Sequence, residues 1–348
     1  MVSFVRNSFI FVTATVAASL LLGSTSVASE QLNEQLQLRR HNNTQGQSRD
    51  VADQLLRLGQ QEVEASNYQA AIAAWYRAVE IYTILGDFTS AGIAYDYIGR
   101  TYTDRGLYTE AEDVIRRRIA IAQDYGDFQG QVYGYNNLGT VFIQSGLLDQ
   151  AEAAFQVAIP IAEDIEDWAG LGVSFSNLGL VERLKGDLTA AEAHYESAIG
   201  YRFQADDLIG QAHSSNSLGQ IYRRLDRDSA ALGAFLVAYR AASDADHVPT
   251  LLPALDGLID LYRDRGDLAQ AWRYLQERIV ITERPSTTPA QKLGTFIQLG
   301  QYYEQLAELE DAQIAYEQAL GLAQQVKDPV RRAFVLNRLQ GLRLQSSN

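Results

Sequence analysis

Apolar and small residues recur along this chain at a fixed interval of forty. Leu58-Gly59, Ile98-Gly99, Leu138-Gly139, Leu178-Gly179 and Leu218-Gly219 stand 40 residues apart. Leu258-Ile259 keeps the register without glycine, and Leu299-Gly300 follows one residue late. A second ladder lies twelve positions on: Ala71, Ala111, Ala151, Ala191, Ala231, Ala271 and Ala312. Four residues beyond each alanine stands a large side chain, from Trp75 and Ile115 through Phe155, Tyr195 and Phe235 to Leu275 and Tyr316. Spacings of three and four place small and large residues on one helical face. One such face cannot be buried within its own unit, so the units must stack.

Breakers divide the ladders into helices. Gly106, Gly146, Gly186 and Gly266 occupy equivalent positions suited to the left-handed conformation that ends a helix, with Asp226 and Ala307 in their place in two units. Thr109 with Glu112, Asp149 with Glu152, and Thr189 with Glu192 are expected to form capping boxes at the next helix start. A further turn falls at Gly86-Asp87, Gly126-Asp127 and Asp206-Asp207. No stretch has the period of two that a strand requires. The pattern predicts an all-α chain of about seven antiparallel helix pairs, each helix, tight turn, helix.

The segment YNNLGTVFIQSGLLDQAEAAFQVAI, with its Leu-Gly pair, turn glycine and alanine, resembles a tetratricopeptide repeat. The forty-residue period is similar to the longer variety found in Pins-type scaffolds and bacterial regulators. Arg118 and Arg278, where alanine is usual, also occur in that variety. The resemblance covers residues 51–344 and implies a right-handed superhelical solenoid that binds proteins or peptides in a concave groove, without catalysis.

Two departures stand out. Thr282 to Pro289 holds Pro285 and Pro289 and predicts a loop between the sixth and seventh pairs. Beyond Asp328-Pro329 one helix remains, expected to cap the last apolar face, with residues 345–348 as a tail. At the other end, Arg6 precedes an uncharged apolar run from Phe9 to Leu22, and Ser26-Val27-Ala28 offers small residues for cleavage before Ser29. Residues 1–28 therefore read as a signal peptide and residues 29–50, rich in Gln, Asn and Arg, as a polar linker. The expected location is exported, in the periplasm or another extracytoplasmic space. The alternative is an uncleaved N-terminal membrane anchor, although the run is short of the roughly 20 residues that span a bilayer.

Charge and composition narrow the partners. The net charge is −14, and lysine occurs only at Lys185, Lys292 and Lys327. Such a surface repels phosphate backbones and anionic headgroups, so nucleic acid is excluded as a partner, and membrane contact is left to the signal sequence alone. With no cysteine, disulfides, thiol nucleophiles and an N-terminal lipid attachment are excluded. His41, His194, His213 and His247 lack a second ligand at metal spacing, no phosphate loop is present, and no nucleophile–base pair can be found. We expect no enzyme, no cofactor and no metal.

The resemblance places the groove on the first helix of each pair. Its candidate peptide-binding residues here are Asn136, Asn137, Asn177, Arg183, Asn216, Arg223, Arg224 and Arg263. The lysine and asparagine clamp for a C-terminal carboxylate is not reproduced. Asn137 and Asn177 suit either a ligand backbone or a helix–helix contact. Arg183, Arg223 and Arg263 share one register position and could take an acidic extended segment, or pair internally with Asp256, Asp260 or Asp264. A scaffold is the first expectation; the alternative is a peptide-sensing regulatory module whose curvature changes on binding.

Overall fold

In the computed structural model, which describes residues 46–346, the chain divides into two compact units that meet at Gly210. The segment read as a signal peptide and most of the segment read as a polar linker lie outside the described residues. The first unit contains α1 (Gly46–Glu64), α2 (Tyr68–Ile84), α3 (Phe88–Asp104), α4 (Tyr108–Asp124), α5 (Phe128–Gln144), α6 (Leu148–Asp164), α7 (Trp168–Lys185) and α8 (Leu188–Gln204). The second takes most of α9 (Leu208–Arg224), then α10 (Asp228–Asp244), α11 (Val248–Asp264), α12 (Leu268–Thr282), α13 (Pro289–Gln305), α14 (Leu309–Gln325) and α15 (Pro329–Ser346). No strand occurs among the described residues. Within each unit, neighbouring helices pack in series, odd-numbered helices opening each pair and even-numbered ones closing it.

The two sequence ladders prove to be opposite sides of one contact. A Cβ placed on Gly59, Gly99, Gly139, Gly179, Gly219 or Gly300 would come within 3.0 Å of Trp75, Ile115, Phe155, Tyr195, Phe235 or Tyr316 respectively. Glycine on the first helix thus admits the large side chain of the second, and the ladder alanines are fully buried where the two helices cross. Where Ile259 replaces the glycine, the facing residue is the smaller Leu275, and both are fully buried. Trp75 also donates from Nε1 to the Leu56 carbonyl at 3.0 Å, so its polar edge is satisfied.

The turns follow the expected breakers. Gly106, Gly146, Gly186 and Gly266 have positive φ, and Asp226 (55°) and Ala307 (58°) adopt the same conformation without glycine. The expected capping boxes are displaced. α4, α6 and α8 start at Tyr108, Leu148 and Leu188, so Thr109, Asp149 and Thr189 lie inside the first turn. Leu107 and Leu147 hold the cap positions without a side-chain bond, and Asp187 caps α8 through Ala190 N. A complete capping box joins Thr288 and Gln291. It starts α13 after the proline-bearing loop, where Pro289 fills the first helical position that needs no N–H.

Both ends of the solenoid extend further than expected. α1 begins at Gly46, within the segment read as linker, and α15 runs to Ser346, into the segment read as tail. α15 covers the last pair with Val335, Leu339 and Leu342, which join Leu293, Tyr316 and Ala319 in one core cluster. No described helix is long and apolar enough to cross a membrane.

Candidate functional site

Four candidate asparagines and arginines stand on the first unit. Asn136 is buried between α5 and α7: its Nδ2 donates to the Val132 carbonyl and to Ser174 Oγ, each at 3.0 Å. Asn137 is also buried and donates to Asp96 Oδ1 on α3 at 2.9 Å. Asn177 is buried on α7. Arg183 stands in the last turn of α7, where a cation complements the helix dipole, and makes no ion pair with another described residue. The close approach of α5 and α7 accounts for the buried amides. A Cβ on Gly170 would meet Val132 Cγ1 at 2.7 Å, so the glycine of α7 lets the Val132 side chain of α5 pack directly against its backbone.

A polar cluster ties α3, α4 and α5 together. Arg118 is buried on α4, its Nε lies 3.4 Å from Asp96 and its Nη1 3.7 Å from Asp127. Burial pushes the Asp96 carboxyl above its ordinary range, while Arg118 and the Asn137 hydrogen bond act in the opposite sense. Asp104, beside Arg100, is likewise raised, chiefly by burial.

In the second unit, Asn216 of α9 donates to the Thr250 carbonyl of α11 at 2.8 Å. Arg223 reaches Asp264 at 2.6 Å and Asp260 at 3.5 Å. Arg263 binds Asp260 at 2.6 Å, Gln298 at 2.8 Å and Gln301 at 3.1 Å. For these two arginines, internal pairing is the arrangement adopted. Arg224 is exposed and forms no ion pair among the described residues. Asp260 is raised above its ordinary range, again mainly by burial and against the pull of Arg263.

These raised acids set a pH dependence. A carboxyl whose folded pKa exceeds its unfolded value holds its proton more tightly in the folded protein. Its effect on stability is therefore favourable at low pH and is lost as pH rises from about 3.8 through the raised value. Asp328, held low by its Arg331 hydrogen bonds despite burial, acts only below that window. We expect the urea midpoint to be higher near about pH 5 than near about pH 7, and Asp260→Asn to flatten the slope. A midpoint that climbs steadily with pH would contradict this.

A cavity of about 510 Å³ opens at the far end of the second unit. Arg263 of α11 and Gln301 and Gln305 of α13 line one side; Asn337, Arg338 and Gln345 of α15 line the other. Glu304 stands between them and pairs with Arg338. Of these residues, only Arg263 is among the sequence candidates. Gln301, Glu304 and Gln305 repeat the register of Asp260, Arg263 and Asp264 after the one-residue insertion, which is the signal that could have found them. No group of acidic and histidine residues among those described could hold a metal ion.

Family models of the tetratricopeptide repeat match residues 94–127, 132–202 and 293–326. A search of curated proteins finds no match. Among solved structures, a Rap protein complexed with Competence and Sporulation Factor is similar, with TM-score 0.53, 16% identity, and coverage of 95% of this chain and 83% of that one. Aspartyl phosphate phosphatase F from Bacillus subtilis gives TM-score 0.55 at 14% identity, covering 92% and 89%. BtubC from P. vanneervenii gives 0.55 at 20% identity, covering 62% of this chain and 91% of its own. At these identities the likeness extends to the fold alone.

Proposed function

Because this chain is a tetratricopeptide-repeat protein, we propose that it is a non-catalytic scaffold holding a protein or peptide against its first helices, outside the cytoplasm. The observation that carries this reading is the open polar cavity among α11, α13 and α15, all of them helices that occupy the first position in the repeat. Fold alone does not specify a partner, so the reading rests on that surface. Export is supported by the charged, apolar and small-residue order of residues 6–28.

Two measurements test it. A photo-crosslinking residue at Gln301 should capture a discrete partner in the native host, whereas one at exposed Glu317 of α14 should not. Equal capture at both positions, or none at Gln301, would remove the basis for the proposal. Intact mass should place the mature N-terminus near Ser29; recovery of the full-length chain with membranes would replace secretion by anchoring.

A second reading, a peptide sensor, is favoured by the Rap neighbour solved with Competence and Sporulation Factor. It requires a change in solution scattering when a captured peptide is added to the purified chain. A scaffold requires none.

A further inference from the structure

The turns that lead from each second helix into the next first helix carry an apolar row. α3, α5, α7 and α9 open on Phe88, Phe128, Trp168 and Leu208, forty residues apart. These side chains and their turn neighbours are not fully covered: Tyr125, Phe128, Ile165 and Phe203 are exposed, Phe203 by 70%. Tyr125 stacks on Phe88 of the turn before it, and Trp168 on Tyr201, which ends near the turn after it. The turns therefore adjoin one another along a single edge. Because Asn136 bonds Ser174 directly, α5 and α7 are in contact and successive turns stand about 8–10 Å apart.

This edge is also acidic beyond what the helices use. Asp87, Asp127, Asp167 and Asp207 accept from backbone N–H groups at the helix starts. Asp124, Glu163, Asp164, Glu166 and Asp206 are exposed and make no ion pair among the described residues. Asp124 and Asp164 end α4 and α6, where a negative charge opposes the helix dipole, so the fold gains nothing from them there. No lysine or arginine occurs in residues 123–128, 163–168 or 203–208. Exposed apolar groups gathered on one edge mark an interaction surface, and the unpaired acids select a basic one to cover it.

That chemistry is present on α15. It carries Arg331, Arg332, Arg338 and Arg343 and no acid, in a chain of net charge −14. Arg331 and Arg338 pair with Asp328 and Glu304, whereas Arg332 is exposed and makes no ion pair among the described residues. Gln340 stands forty residues after Gly300, the glycine that admits Tyr316 of α14. The side of α15 marked by Gln340 is thus where a closing helix packs in the other pairs, and among the described residues none follows α15. Leu336, Gln340 and Leu344 lie four apart on that side, and both leucines are exposed, Leu344 by 65%. None of the three lines the cavity. With 18 residues, α15 is about 27 Å long, enough to lie across three successive turns.

We propose that the turn edge from Phe88 to Leu208 docks α15 of a second copy of this chain. Leu336 and Leu344 pack among Tyr125, Phe128 and Phe203, and the arginines face the unpaired acids. The contact is heterologous, since each copy contributes a different surface to it. It is separate from the scaffold reading, because neither surface includes the cavity.

Sedimentation velocity of the purified chain tests the proposal. The sedimentation coefficient should rise with protein concentration, and less steeply at high salt. Phe128→Ser with Phe203→Ser on the edge should weaken association about tenfold or more, as should Leu336→Ser with Leu344→Ser on α15. Glu163→Lys with Asp164→Lys should weaken it through charge alone, and serves if the edge variant melts early. Mixing the edge variant with the α15 variant is the decisive arm. Each supplies the surface that the other lacks, so the mixture should associate where neither does alone. A monomer at every concentration overturns the proposal, as does parental association in either pair of variants. A mixture that stays monomeric also overturns it, because the two surfaces would then not be partners.

Discussion

Replacing Gly257 by alanine should destabilise the second unit, although the same change at Gly233 should stabilise it. A Cβ on Gly257 would lie 2.5–2.6 Å from three atoms of the Phe235 ring. The ring cannot retreat, because Gly219 approaches it from α9, where a Cβ would stand 2.7 Å away. Phe235 is buried in a cluster with Leu255, Leu258 and Leu275, which leaves no space for repacking. Overpacking of this kind costs about 1–3 kcal/mol, against a helix-propensity gain of about 0.5–1 kcal/mol for removing glycine. At Gly233, on the exposed face of α10, nothing lies within 4 Å of the new methyl group. Only the gain remains there. Urea unfolding of the two single variants should therefore shift the midpoint in opposite directions. Midpoints moving the same way would mean that the ring does not sit between the two glycines.

That contact also shows what the sequence could and could not reveal. Glycine and aromatic recur sixteen residues apart, and a turn glycine divides them, so the helix pairs and their register were legible from periodicity alone. Even the replacement of glycine by Asp226 and Ala307 in the left-handed position could be read off. Whether the first-helix face is open could not. Asn136 and Asn216 have the same register position, and the ligand-facing role given them on paper depends on how closely adjacent first helices approach. In the structure both amides bridge two such helices, Asn136 to Ser174 and Asn216 to Thr250. Small residues such as Gly170 and Ser174 set that distance, and a list of polar positions does not weigh them. The arginine register had the same limit. Its repeat was visible, but Asp260 lies between Arg223 and Arg263 and reaches both. The cavity escaped for a different reason: one inserted residue shifts Gln301, Glu304 and Gln305 out of the forty-residue count, and α15 was read only for its apolar face.

Arg278 is expected to be among the costliest single positions to truncate. It occupies a second-helix site where the repeat usually carries alanine, and it is buried. Its Nε and Nη2 bind the two oxygens of Asp256 at 2.6 and 3.1 Å. Nη1 reaches across the proline-bearing loop to the Gln291 carbonyl at 3.3 Å and to Thr295. One side chain therefore ties α11, α12 and α13 together at the junction that Pro285 and Pro289 interrupt. Gly294 leaves room for it, since a Cβ there would stand 2.5 Å from Nη2. Arg278→Ala would leave a carboxylate, a carbonyl and a hydroxyl without their shared donor, and removing one member of a buried pair typically costs about 3–5 kcal/mol. Asp256 is about one-third exposed, and water can reach it, so we expect the lower part of that range. The double variant Asp256→Asn with Arg278→Met should recover part of the loss by removing the stranded charge and refilling the volume. Hydrogen exchange should show the first turns of α13 losing protection before α9 and α10 in Arg278→Ala. Wild-type stability in Arg278→Ala, or a double variant no better than the single, would mean that the arginine is dispensable at the junction.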